Sequence, residues 1–171
     1  MEPVRAAVTR DIVMPSLMLE HRVTRRVIEA IPIDQSDFRP DAIAKTAIDL
    51  AWHIVSAEHR FMSAVVTGAF DFANPGRPDS LRTSADVAAW YGETFPKDAE
   101  QLGTLTGEHL ATILDFRGIF QLPAVSYLQF VMSHSIHHRG QLSTYLRPMG
   151  AKVPAIYGES YDSAQAKSAR P

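Results

Sequence analysis

The sequence predicts an all-α protein, a four-helix bundle within one domain spanning residues 1–171. Three observations lead there. Four long segments repeat their apolar residues at three- and four-residue steps, the spacing of one helix face. The connections between them are short or moderate and rich in turn formers, and no internal repeat or long linker divides the chain. At 171 residues the chain can bury a sizeable core, and with no cysteine it needs no disulfide framework.

The first helix is expected from about Asp11 to Ala30, with Ile12, Leu17, Leu19, Val23, Val27 and Ile28 as its apolar set, and Pro32 closing it. Met14-Pro15 disturbs its first turn, and His21, flanked by charged residues, is expected at the surface. After a loop through Pro40, the second helix runs from about Asp41, as N-cap or first-turn acid, to Phe70. On this helix His53 shares a face with Leu50, Ala57, Phe61 and Ala64 and looks inward, while Glu58 and His59 fall nearer the far side. Residues 71–83, with Asn74-Pro75-Gly76-Arg77-Pro78, form a turn-dense loop and a candidate lid.

The third helix starts at Ser84 as its capping residue and carries Val87, Trp90, Tyr91 and Phe95. Pro96 is expected to kink or break it before Leu105, and His109 to lie on the surface or in a loop. Leu114–Leu122 reads as an ordered link or a short extended pair. Pro123 suits the first turn of the fourth helix, which extends to Leu146 before Pro148. Val153, Pro154, Ile156 and Tyr157 can dock as a tail, and the Ser/Ala/Lys-rich chain from about Ser160 is expected to fray.

The fourth helix carries His134-Ser135-Ile136-His137-His138-Arg139-Gly140-Gln141. Residues four apart stack on one face, so His134 and His138 can grip one ion, whereas His137 lies about 100° away. Tyr127, Gln141 and Tyr145 follow the same line and make a polar seam, which needs partners if buried. Two imidazoles are half a tetrahedral site, and the absence of cysteine leaves histidine or carboxylate for the rest. His53 is the inward-facing third candidate. A three-histidine set with a vacancy is the pattern of catalytic rather than structural zinc.

Composition narrows the partners. The formal net charge of -2, with both signs interspersed, gives no ground for nucleic acid. No run is long and apolar enough for a membrane span, and the N-terminus lacks a signal-peptide core, so a cytoplasmic location is expected.

Ala51-Trp52-His53-Ile54-Val55 with Ala57-Glu58-His59, and later His134-Ser135-Ile136-His137-His138-Arg139-Gly140-Gln141-Leu142, resemble the DinB/YfiT-like family of metal-binding bundles. The resemblance covers the chain from the first helix through Tyr157. It implies an up-down-down-up bundle, a divalent ion on His53, His134 and His138, and a homodimer. It also implies a reaction type, since members include S-transferases in which a metal activates a low-molecular-weight thiol. A small-molecule substrate is expected. Imidazole ligands suit several metals, with zinc first on frequency and nickel second. The seam residues Tyr127, Gln141 and Tyr145 are the candidate catalytic residues, placed to orient substrate or a ligand's second ring nitrogen. Two other roles stay open: a non-catalytic metal-binding stress protein, and a metal-dependent hydrolase.

Overall fold

The computed structural model describes residues 1–73 and 76–168. Helices α1 (Pro3–Glu29), α2 (Ala47–Thr67), α3 (Ser84–Thr104) and α5 (Ser126–Leu146) are the long elements. A 3-10 turn (Ile33–Gln35), helix α4 (Gly107–Ala111), strands β1 (Ile113–Phe116) and β2 (Phe120–Pro123), and the terminal α6 (Tyr161–Ser168) complete the order. Among the described residues the protein is thus all-α apart from one hairpin. Helix α1 packs on α3 and α5, and α2 packs on the same two, so the four long helices surround one core. Leu17 and Ile28 of α1, Leu50, Ile54 and Met62 of α2, Leu102 of α3, and Leu128, Val131 and Leu142 of α5 are buried there. Truncating any of these to alanine costs about 2–5 kcal/mol, which is why the pattern of apolar residues fixes the packing.

The helix ends differ from the expected ones, for local reasons. Helix α1 begins eight residues earlier than Asp11, with Pro3 in its first turn, where a missing N–H is harmless. Ala6 and Val13 are buried, and α1 packs on α4, so tertiary contact extends the helix. Helix α2 begins at Ala47 rather than Asp41, because the Asp41 carboxylate accepts the N–H groups of Ile43 and Ala44 and holds a turn. Thr46 caps α2 by accepting the Asp49 N–H at 3.2 Å. Gly68, at φ 80°, ends it in a left-handed turn.

Helix α3 starts at Ser84 as expected, although its cap is Thr83, in a reciprocal box with Asp86. The helix runs unbroken through Pro96. Phe95, Asp98 and Leu102 are buried on either side of it, and that packing outweighs the local cost of a proline. The segment after α4 is the short extended pair, with Leu114 opposite Leu122. Pro123 ends β2 instead of opening the helix. Asn74 and Pro75, at the centre of the expected loop, lie outside the described residues, as do the last three residues of the tail. Tyr161–Ser168 forms a helix where composition suggested fraying. No described helix is long and apolar enough to cross a membrane.

Candidate metal centre

Helices α2 and α5 lie against each other and bring three imidazoles together. One ring nitrogen from each of His53, His134 and His138 lies within 4.8 Å of the others, so this group can hold a metal ion. The His53 and His138 Nε2 atoms are 3.2 Å apart. Two nitrogens bound to a tetrahedral ion at about 2.0–2.1 Å would be separated by about 3.3 Å, so this pair fits a shared ion, with His134 within 4.8 Å of both. His134 Nδ1 is buried with no hydrogen-bond partner among the described residues. Buried polar atoms are rarely left so, and ligation is one way to satisfy one.

Electrostatics favours the ligand form. Burial, then His138, Lys45 and Arg60, lower the His53 pKa to about 4. Burial, then the neighbouring histidines His138, His53 and His137, lower that of His134 to about 4. Both rings are neutral at pH 7 and offer lone pairs, as metal binding requires. His138 Nδ1 lies 3.1 Å from Gln141 Oε1. An Nδ1–H donated to that oxygen leaves Nε2 as the free donor atom.

The other seam residues divide. Tyr127, buried, has its hydroxyl 2.9 Å from the Leu114 carbonyl and 3.1 Å from that of Phe120. It fastens the hairpin rather than reaching the imidazoles. Tyr145 is also buried, and its hydroxyl has no hydrogen-bond partner among the described residues. Burial raises its phenol pKa. His137 is exposed, as its angle on the helix requires.

Three histidines depart from expectation or gain partners. His21 is buried, not exposed: its ring stacks on Phe95 at 4.0 Å and meets Tyr91 edge-on at 4.3 Å. Burial, reinforced by Arg25 and Arg22, lowers its pKa to about 4. His109 sits on α4, half-buried, with Nε2 2.7 Å from the Val65 carbonyl. His59 pairs with Asp98, its Nδ1 2.7 Å from the carboxylate.

Sequence reasoning missed a polar cluster directly behind the triad. Glu58, placed on the far side of its helix, is 1 % exposed. It accepts the Ser135 hydroxyl at 2.6 Å and the Tyr91 hydroxyl at 2.7 Å. Burial raises its carboxyl to about 7, against the two hydrogen bonds that lower it. One turn on, buried Arg139 forms an ion pair with Glu20 and donates to the Tyr157 hydroxyl at 2.5 Å. The signal was available: Val131, Ser135, Arg139, Leu142 and Leu146 follow one helical stripe, so Arg139 stands among core residues.

Comparison with known proteins agrees with this architecture. Residues 14–169 match the model of the DinB family. YjoA of Bacillus subtilis (strain 168) is 30 % identical over 138 residues, covering 79 % of this chain and 88 % of that protein. YrdA of the same organism is 34 % identical over 113 residues, 64 % of each chain. The crystal structure of the DinB-like YjoA superposes with a TM-score of 0.71 at 26 % identity, covering 86 % of this chain and 99 % of that one. A DinB-like protein from Bacillus cereus ATCC 10987 superposes at 0.70 and 24 % identity, over 85 % and 95 %, and shares the fold. The chain belongs to the DinB family.

Proposed function

We propose that the protein is a metal-dependent enzyme in which His53, His134 and His138 hold one divalent ion, zinc first and nickel second. The reaction is transfer of a group to or from a low-molecular-weight thiol. The observation that carries this reading is the convergence of three imidazole nitrogens, two of them on rings kept neutral, with no carboxylate among them. Three protein ligands leave room for a substrate atom.

When bound, the ion would supply Lewis acidity that favours thiolate over thiol near neutral pH. The remaining roles belong to the chain. His53 and His134 stay unprotonated, and Gln141 fixes the tautomer and plane of His138. With no cysteine in the chain, the sulfur must arrive on a cosubstrate. The exposed stripe of Val4, Val8 and Ile12 on α1 is the face this reading gives to a second copy of the chain. Sedimentation of Ile12→Glu beside the parent protein tests that contact, and equal masses would remove it.

The principal experiment is metal analysis of protein prepared without an affinity tag, alongside His138→Ala. The parent should carry about one ion per chain and the variant none, both with the same helical circular dichroism. A cobalt-substituted sample should then develop a thiolate-to-metal band with one of mycothiol, bacillithiol, glutathione or coenzyme A. A metal-loaded protein that gives no band with any of them would overturn the transferase. Loss of helix together with the metal would make the site structural.

A further inference from the structure

A second constellation lies on the face shared by α2 and α3. Asp98, 6 % exposed, accepts from His59 Nδ1 at 2.7 Å, while the His59 side chain remains 43 % exposed. The Trp90 ring stands perpendicular to that imidazole at 5.6 Å, and Trp52 meets Trp90 edge-on at 5.0 Å. His59, Trp52 and Trp90, with Ser56 and Arg60, line a cavity of about 530 Å³, within the size range of small-molecule sites, and Asp98 stands behind His59. None of the three clustered histidines lines it, so what binds here is independent of the metal reading.

We infer that this groove is a binding site for a neutral aromatic alcohol of the phenol class, with its ring against Trp52 and Trp90 and its hydroxyl on His59 Nε2. The two half-buried indoles offer flat and edge surfaces that favour another aromatic ring. An imidazole that gives its Nδ1–H to a buried carboxylate keeps its lone pair on Nε2 and accepts an O–H. Asp98 is then a positioning residue, holding tautomer and ring plane. The charged side chains that line the groove are one of each sign, Arg60 and Asp71, so no excess of one sign selects an ion.

The groups that bear on His59 are Asp98 from α3, Arg60 on its own helix and Asp71 in the loop beyond, with buried Glu58 behind Asp98. The Asp98 hydrogen bond raises the His59 pKa, burial lowers it, the Asp98 charge raises it and Arg60 lowers it, and the net direction is upward. Protonation puts a hydrogen on Nε2 and removes the acceptor. Binding of a phenol therefore strengthens as pH rises through that transition, and holds until the phenol itself ionises near pH 10.

The chain has two tryptophans, and both wall this groove, so its intrinsic tryptophan emission reports on the site alone. The test titrates the intact protein with p-cresol, 4-methylanisole and 4-methylbenzoate, at about pH 8 and about pH 5.5, on either side of an ordinary histidine. p-Cresol should give a saturable change at about pH 8 and bind more weakly at about pH 5.5. 4-Methylanisole, lacking the hydrogen, should bind about tenfold more weakly than p-cresol. His59→Gln should erase that discrimination while melting as the parent does, and the three-ligand series decides the matter even if that variant fails to fold. Equal binding of p-cresol and 4-methylanisole, or no saturable change, would overturn the inference. Tighter 4-methylbenzoate binding at the lower pH would replace it with an anion site.

Discussion

Arg139→Met is the sharpest test of how the motif helix is held. Arg139 is 1 % exposed and Glu20 6 %, so water cannot replace the guanidinium once it is removed. The Glu20 carboxylate would remain buried with the Tyr157 hydroxyl, 2.9 Å from both of its oxygens, as its principal partner. Breaking a buried pair from one side costs about 3–5 kcal/mol, and the surviving tyrosine contact puts the expectation at about 3 kcal/mol. For a chain of this size that lowers the melting temperature by about 6–12 °C. Glu20→Met combined with Arg139→Met should cost less than Arg139→Met alone, because no orphaned charge is left. Urea unfolding of the two single variants and the double variant closes a cycle. A single variant within about 1 kcal/mol of the parent, or a double variant worse than Arg139→Met, would refute the assignment of a buried ion pair.

The metal-free protein should lose stability as pH falls from 6.5 toward 4, because His21, His53 and His134 stay neutral when folded but take protons when unfolded. Glu58 acts oppositely: with its carboxyl raised from 4.5 to about 7, the folded state holds an extra proton across that window. Glu58→Gln should therefore steepen the rise of melting temperature between those pH values, and an unchanged slope would count against a protonated Glu58. Gln141→Ala should weaken metal binding about 10–100-fold by releasing the His138 ring, as competition with a chelator would show. Unaltered affinity would mean that the Gln141 contact orients nothing. Gly107→Ala should cost about 1–3 kcal/mol, since a Cβ there meets the Pro3 carbonyl, which thermal melting can measure.

The long helices and the three converging histidines were legible because both depend on one periodicity. His134 and His138 share a face by their spacing, and the apolar company of His53 turned it inward. What escaped were residues whose partners lie far along the chain. Glu58 looks like a surface charge until Ser135 and Tyr91 are brought to it, and the helical stripe that places Arg139 inward does not name Glu20 and Tyr157 as its partners. His21 misled for a related reason. Its neighbours in sequence are charged, but Leu17, Thr24 and Ile28 are its neighbours on the helix, and all three are buried. Proline was overweighted as a breaker at Pro96, where flanking core residues keep the helix continuous. Tyr127 lies on the seam as projected, yet the hairpin that claims its hydroxyl has no strong sequence pattern of its own.

The ion pair of Glu20 also sets a timetable for synthesis. Its guanidinium partner comes 119 residues later, and its tyrosine partner 137 residues later. A ribosome adding about 5–20 residues per second needs about 6–24 s to reach the arginine. Throughout that time the first helix carries an acid meant for the core and nothing to neutralise it. Burying that carboxylate unpaired would be costly, so closure of the core around Glu20 is disfavoured until Arg139 has been made.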